Sequence, residues 1–130
     1  MKRKYTDPIV WTHLLFVLNA MLWFYVEAYV CSFFLLLSTV ASTGYHRLGE
    51  GPNVWQKPDK ILAVVTLLVT LAVTFPRASW ADLLNAVLLL AMALIAKKQA
   101  EEEGKYKLWH SLWHVLVSIG QAYLVWVYRF

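Results

Sequence analysis

The sequence predicts an all-α integral-membrane bundle of about five transmembrane helices, and three observations carry that prediction. Of the 130 residues, 60% are hydrophobic and only 15% are charged, more apolar surface than a soluble domain of this size can hide. The apolar residues fall into runs close to the ~20 residues that a helix needs to cross ~30 Å of hydrocarbon. Seven Trp, seven Tyr and six Phe supply the amphipathic rings that collect at membrane interfaces. No internal repeat or linker divides the chain, so residues 1–130 read as a single transmembrane domain.

The first run extends from about Pro8 to Tyr25 and the second from about Ala28 to Tyr45. Joined, they would make a helix of about 38 residues and about 57 Å, too long for one crossing, so a tight hairpin at Glu27 is expected. The third run covers Asp59 to Phe75, the fourth Trp80 to Ala96 and the fifth Leu108 to Tyr128. The opening "MKRK" before an apolar run has the look of a signal peptide. That run is long for one and no small-x-small cleavage site follows, so a retained first helix is the better reading. A single cysteine, Cys31, rules out an intrachain disulfide.

Orientation follows from the basic residues. Lys2, Arg3, Lys4, Arg47, Lys57, Lys60, Lys97, Lys98, Lys105 and Lys107 share one side of a five-helix topology, and only Arg77 and Arg129 fall on the other. Ten against two is a strong positive-inside bias, which places the amino terminus in the cytosol. The loop "KKQAEEEGKYK" adds Glu101, Glu102 and Glu103 and reads as a solvated mixed-charge loop.

This topology gathers polar residues at the cytosolic end. His110 and His114 lie four apart in the first turns of the fifth helix, about 40° apart around its axis, so both rings can reach one point. In "LSTVASTGYHRL" the same spacing puts Ser38, Ser42 and His46 on one stripe, and Asp59 opens the third helix at that face. An ionisable residue inside a membrane is by default a functional candidate. Three neutral imidazoles with an open fourth position suit a catalytic zinc ion, which lowers the pKa of a bound water toward ~7 and polarises a carbonyl. Asp59 could then accept the proton of that water or orient it, and Ser42 could hydrogen-bond the water or a developing oxyanion. The zinc-protease motif H-E-x-x-H is absent, because Ser111 and Leu112 follow His110.

"STGYHRL", then "PDKI", then "HSLWHVLVSIGQAY" resembles the S-x-x-x-H, downstream Asp and H-x-x-x-H pattern of the CREST superfamily. That group contains the alkaline ceramidases, the progestin and adiponectin receptor family and hemolysin III-like proteins. The last segment is the nearest match, in its apolar run after the second histidine. The resemblance implies zinc on His46, His110 and His114, with Ser42 and Asp59 around the metal-bound water, and hydrolysis of lipid amides. Members of that superfamily have seven helices where five are counted here. Loss of two helices between the third and the last keeps the final helix in the same direction, and its histidines still reach the cytosolic face. The substrate cavity would then be completed by a homodimer or opened directly to the bilayer. The implied partners are the bilayer and a membrane lipid, with no nucleic acid.

Simpler readings stand beside these. His13 reads as a hydrogen-bonded packing residue or as a spare ligand. Ser38, Thr66 and Thr70 read as helix-packing hydroxyls, and Asn19, Asn85 and Gln121 as interhelical hydrogen-bonding groups. Asp59, after Pro58, could simply cap its helix. Two other functions compete: a receptor or scaffold with a structural zinc closed by four protein ligands, and a haem carrier. His110 and His114 on one stripe cannot ligate one iron from opposite faces, although either could pair with His46 or His13.

Overall fold

Each apolar run of the sequence is helical in the computed structural model, which describes residues 7–48, 52–101 and 104–130. Lys2, Arg3, Lys4, Glu102 and Glu103 lie outside the described residues. The elements are α1 (Pro8–Trp11), α2 (His13–Tyr25), α3 (Tyr29–Arg47), α4 (Gln56–Thr74), a 3-10 turn (Phe75–Arg77), α5 (Trp80–Gln99) and α6 (Tyr106–Arg129). No strand occurs among the described residues, so the fold is all-α. Only Thr12 separates α1 from α2, and its own backbone is helical (φ −63°, ψ −15°), so the two act as one span from Pro8 to Tyr25.

The helix ends have local causes. Asp7 caps α1 by accepting from the Ile9 amide at 3.1 Å, with Pro8 pre-set in the first turn. α2 stops in a Schellman motif: the Ala28 amide donates to the Trp23 carbonyl and the Glu27 amide to that of Phe24, both at 3.0 Å, around Glu27 at φ +63°. This is the hairpin that span length demanded. α5 starts with a capping box between Ser79 and Asp82.

Three spans are long and apolar enough to cross a membrane: Pro8–Tyr25, Gln56–Arg77 and Trp80–Gln99. The other two helices, α3 with 19 residues and α6 with 24, have the length. Their composition is diluted by the polar side chains they bury, Ser32, Thr39, Ser42 and His46 on α3 and His114, Ser118 and Gln121 on α6. Apolarity by itself thus supports three crossings of the expected five.

Polarity runs from inside outward. Leu18 and Met21 on α2, Phe33 and Val40 on α3, Ile61 and Leu68 on α4, Val87 and Ile95 on α5 and Ile119 on α6 are all exposed. Such apolar coverage is unusual for a water-facing surface and ordinary for a lipid-facing one. The interior is bonded instead. The Trp23 indole donates to Gln121 Oε1 at 3.0 Å, Gln121 Nε2 to Thr70 Oγ1 at 3.3 Å, and Asn19 Nδ2 to Ser118 Oγ. Thr66 donates across to the Phe34 carbonyl at 3.1 Å, and Thr70 and Thr74 back-bond four residues upstream. Asn19, Asn85 and Gln121 bond between helices as the sequence suggests, Asn85 through the Tyr123 hydroxyl at 3.1 Å. Sequence neighbours pair as α2 with α3, α3 with α4 and α5 with α6, and α6 closes the bundle against α2 and α4. Small buried residues, Ala93 and Ala96 on α5 and Ala100 at its C-cap, let backbones approach closely. An apolar cluster of Phe16, Trp23, Cys31, Leu35 and Leu124 fills the interior, and Phe16 joins it to the histidines, 5.7 Å from His13 and 5.4 Å from His114 between ring centroids.

Candidate metal centre

One end of the bundle brings together residues from four segments. His46 is in the last turn of α3, His110 and His114 are in the first turns of α6, and His13 begins α2. Each position has a structural cause. Gly44 carries no side chain where the Trp55 indole lies on α3, and a Cβ there would meet the ring at 2.8 Å. That close approach seats the start of α4, and with it Asp59, against the end of α3. Asp7 anchors the other side through an ion pair with Lys107 Nζ at 2.9 Å, joining α1 to α6.

Four imidazoles converge. Ring centroids are 4.5 Å apart for His13 and His114, 4.6 Å for His46 and His110, 4.7 Å for His110 and His114, and 5.4 Å for His46 with either His13 or His114. Ligand atoms of His13, His46 and His114, all buried, lie within 4.8 Å of one another. His110 Nε2 faces His46 Nε2 at 3.3 Å. A tetrahedral zinc with Zn–N of 2.0–2.1 Å needs nitrogens about 3.3 Å apart, so the His46–His110 edge already has the required length. Among His13, His46 and His114 the ligand nitrogens lie within 4.8 Å, a group that a metal ion would draw together. The residues present therefore fit a metal ion, with an all-nitrogen donor set that suits zinc and also copper, iron or nickel.

Hydrogen-bond accounting assigns the tautomers. Thr12 Oγ1 spends its proton on the Ile9 carbonyl at 3.0 Å, so at 2.7 Å it accepts from His114 Nδ1–H, leaving the lone pair on Nε2. His13 Nδ1 donates to the Val10 carbonyl at 3.1 Å, which turns its Nε2 lone pair toward Ser42 Oγ at 2.8 Å. Outer hydrogen bonds of this kind hold imidazoles in ligating orientation. Replacing Thr12 with valine should weaken zinc affinity by about 10–100-fold while Thr12→Ser stays near wild type, measured by competition with a zinc chelator.

Ser42 and Asp59 complete the group. Asp59 interacts with both the Ser42 hydroxyl and His46. It does not cap its helix: α4 begins at Gln56, and Trp55 at its N-cap makes no side-chain cap bond. One hydroxyl proton thus stands between two acceptors, the His13 imidazole and the Asp59 carboxylate.

The structure brings His46, His110, His114, Ser42 and Asp59 to one end of the bundle, but its three-ligand group is His13, His46 and His114, so the spare-ligand reading of His13 gains weight, and Thr12 is a new member. His13 had a usable signal, since the topology places it at the same end of the first helix. Thr12 had none, because its partner His114 lies on another helix and is met only in three dimensions. A scan against protein-family models gave no match, and searches of curated proteins and of solved structures found none either.

Proposed function

We propose that this chain is an integral-membrane, zinc-dependent hydrolase that cleaves an amide bond, as in ceramide, or an ester bond of a membrane lipid, with all five long helices crossing the bilayer. The supporting observation is the convergence of imidazoles, a carboxylate and a hydroxyl at one end of a bundle whose outer surface is apolar. His46, His110 and His114 would hold the metal, as the CREST-like motif implies, with His13 beside them. A zinc ion there supplies Lewis acidity toward a carbonyl and a water acidic near neutral pH. Asp59 takes the proton from the attacking water and returns it to the leaving group. Ser42, whose one proton is shared between His13 and Asp59 in the resting site, turns it to the oxygen that gains negative charge as Asp59 becomes protonated. The test is release of fatty acid from ceramides, simple N-acyl amides and lysolipids, each with zinc and with a chelator. Zinc-dependent release from one lipid class is expected, and a zinc-loaded protein that hydrolyses none would overturn the proposal.

His13 favours a second reading, because a fourth imidazole can close the coordination shell and make the zinc structural, as in a receptor or scaffold. X-ray absorption separates the two. Three nitrogens and one oxygen, with zinc retained in His13→Ala, fit the hydrolase; four nitrogens, with zinc lost in that variant, fit the scaffold.

The basic-residue bias puts the amino terminus and the metal centre on the cytosolic side. In a Cys31→Ser background, a cysteine replacing Ser79 should react with an impermeant thiol reagent only from the opposite side. Labelling from the cytosol would reverse the orientation.

A further inference from the structure

A groove of about 210 Å³ runs along the seam between α1/α2 and α3. Trp11 and Leu14, 57% and 55% exposed, form its outer rim, while His13 and Thr39, 3% and 7% exposed, form its floor. It therefore opens on the bundle's outer surface and ends at the histidine cluster. The Thr39 hydroxyl is spent on the Leu35 carbonyl at 2.7 Å, so Thr39 offers the groove no free donor. Water is a poor occupant, because an ordered water needs two to four polar partners and these walls are mainly apolar.

We propose that this groove is the acyl-chain slot of the lipid substrate, with Val17 setting how much chain it accepts; this rests on the hydrolase reading above. Three features select that occupant. The groove lies on the Pro8–Tyr25 span, so what meets its open side in a bilayer is hydrocarbon. From Val10 to Val17 it follows the helix for about 10 Å, parallel to the lipid chains of a leaflet. Its floor carries His13, whose Nε2 bonds Ser42, so a chain lying in it brings its carbonyl end to the polar group that includes Asp59. The lipid enters sideways from the leaflet and does not have to leave the membrane.

The experiment uses full-length protein in phosphatidylcholine nanodiscs and a ceramide with a diazirine on its acyl chain, irradiated in the presence of a chelator so that binding is read apart from hydrolysis. Adducts should concentrate on residues 10–17 and 39–43. Val17→Trp should cut the yield there about tenfold by filling the slot, with zinc content unchanged when metal is restored. Should Val17→Trp fail to fold, Leu14→Trp at the exposed rim decides in the same way. Adducts spread evenly over the apolar faces of α4 and α5, or a yield unaffected by the tryptophan, overturn the slot, as does protection of the groove by a second copy of the chain. Labelling as expected without hydrolysis leaves the slot standing and removes the hydrolase. Hydrolysis without labelling in the groove does the reverse.

Discussion

Replacing His46 with alanine should reduce the zinc content of the purified protein from about one ion per chain to less than about a tenth, because a site short of one ligand loses most of its binding free energy. His46 is the most informative of the four histidines. Its ring neighbours all three others, and its Nε2 forms the 3.3 Å edge with His110, so any arrangement of three ligands that uses this edge includes it. Elemental analysis of protein purified in detergent provides the measurement. His110→Ala should behave similarly. Equal metal content in wild type and both variants would mean that the cluster does not hold the ion.

Replacing Asp59 with asparagine should leave zinc in place and lower turnover by about 10²–10⁴-fold, the range for loss of a positioned general base. Asparagine keeps the shape of the side chain and can still bond Ser42, but it cannot take a proton. Asp59 lies outside the histidine set, so the predicted separation of metal content from activity is what distinguishes a proton acceptor from a ligand. Parallel loss of zinc and turnover would make Asp59 a ligand. Unchanged turnover would remove it from the mechanism and weaken the hydrolase reading as a whole.

Most of the helices are legible in the sequence because their apolar runs have about the length that a bilayer crossing would need. Pro8 and Tyr25 were read as the ends of the first span and are its ends in the structure. The hairpin at Glu27 was forced by length, although nothing in the sequence shows that a non-glycine residue there takes φ +63°. The sequence reading opens this helix at Asp59, just after Pro58, three residues later than the structure does. Proline is tolerated throughout the first turn, where amides have no intrahelical partner, so the helix begins at Gln56. Hydropathy ranks α3 and α6 below the other spans because they carry much of the interior polar chemistry.

The site was legible where one helix carries two of its members. His110 and His114 share a stripe, as do Ser42 and His46, and helical arithmetic finds both pairs. His13 stands alone on its helix among apolar residues, and its place is set by contacts with Val10, Ser42 and His114 that no single helix encodes. The tautomers of His13 and His114 depend on Val10 and Thr12 in the same way.

Ribosomal synthesis gives the centre a fixed order of assembly. In the proposed membrane bundle, α2 and α3 would form before α6 and bring only His13 and His46 together, two imidazoles where a zinc site needs at least three protein ligands. His110 and His114 arrive with α6, whose start is held to α1 by the Asp7–Lys107 pair. Metal loading of the proposed centre would therefore come late, open only to chains in which α6 has folded back onto α2. A nascent chain arrested before α6 would lack this closure. Once loaded, the ion would clasp the earliest helix to the latest, worth roughly 4 kcal/mol when free zinc is 1,000 times its dissociation constant.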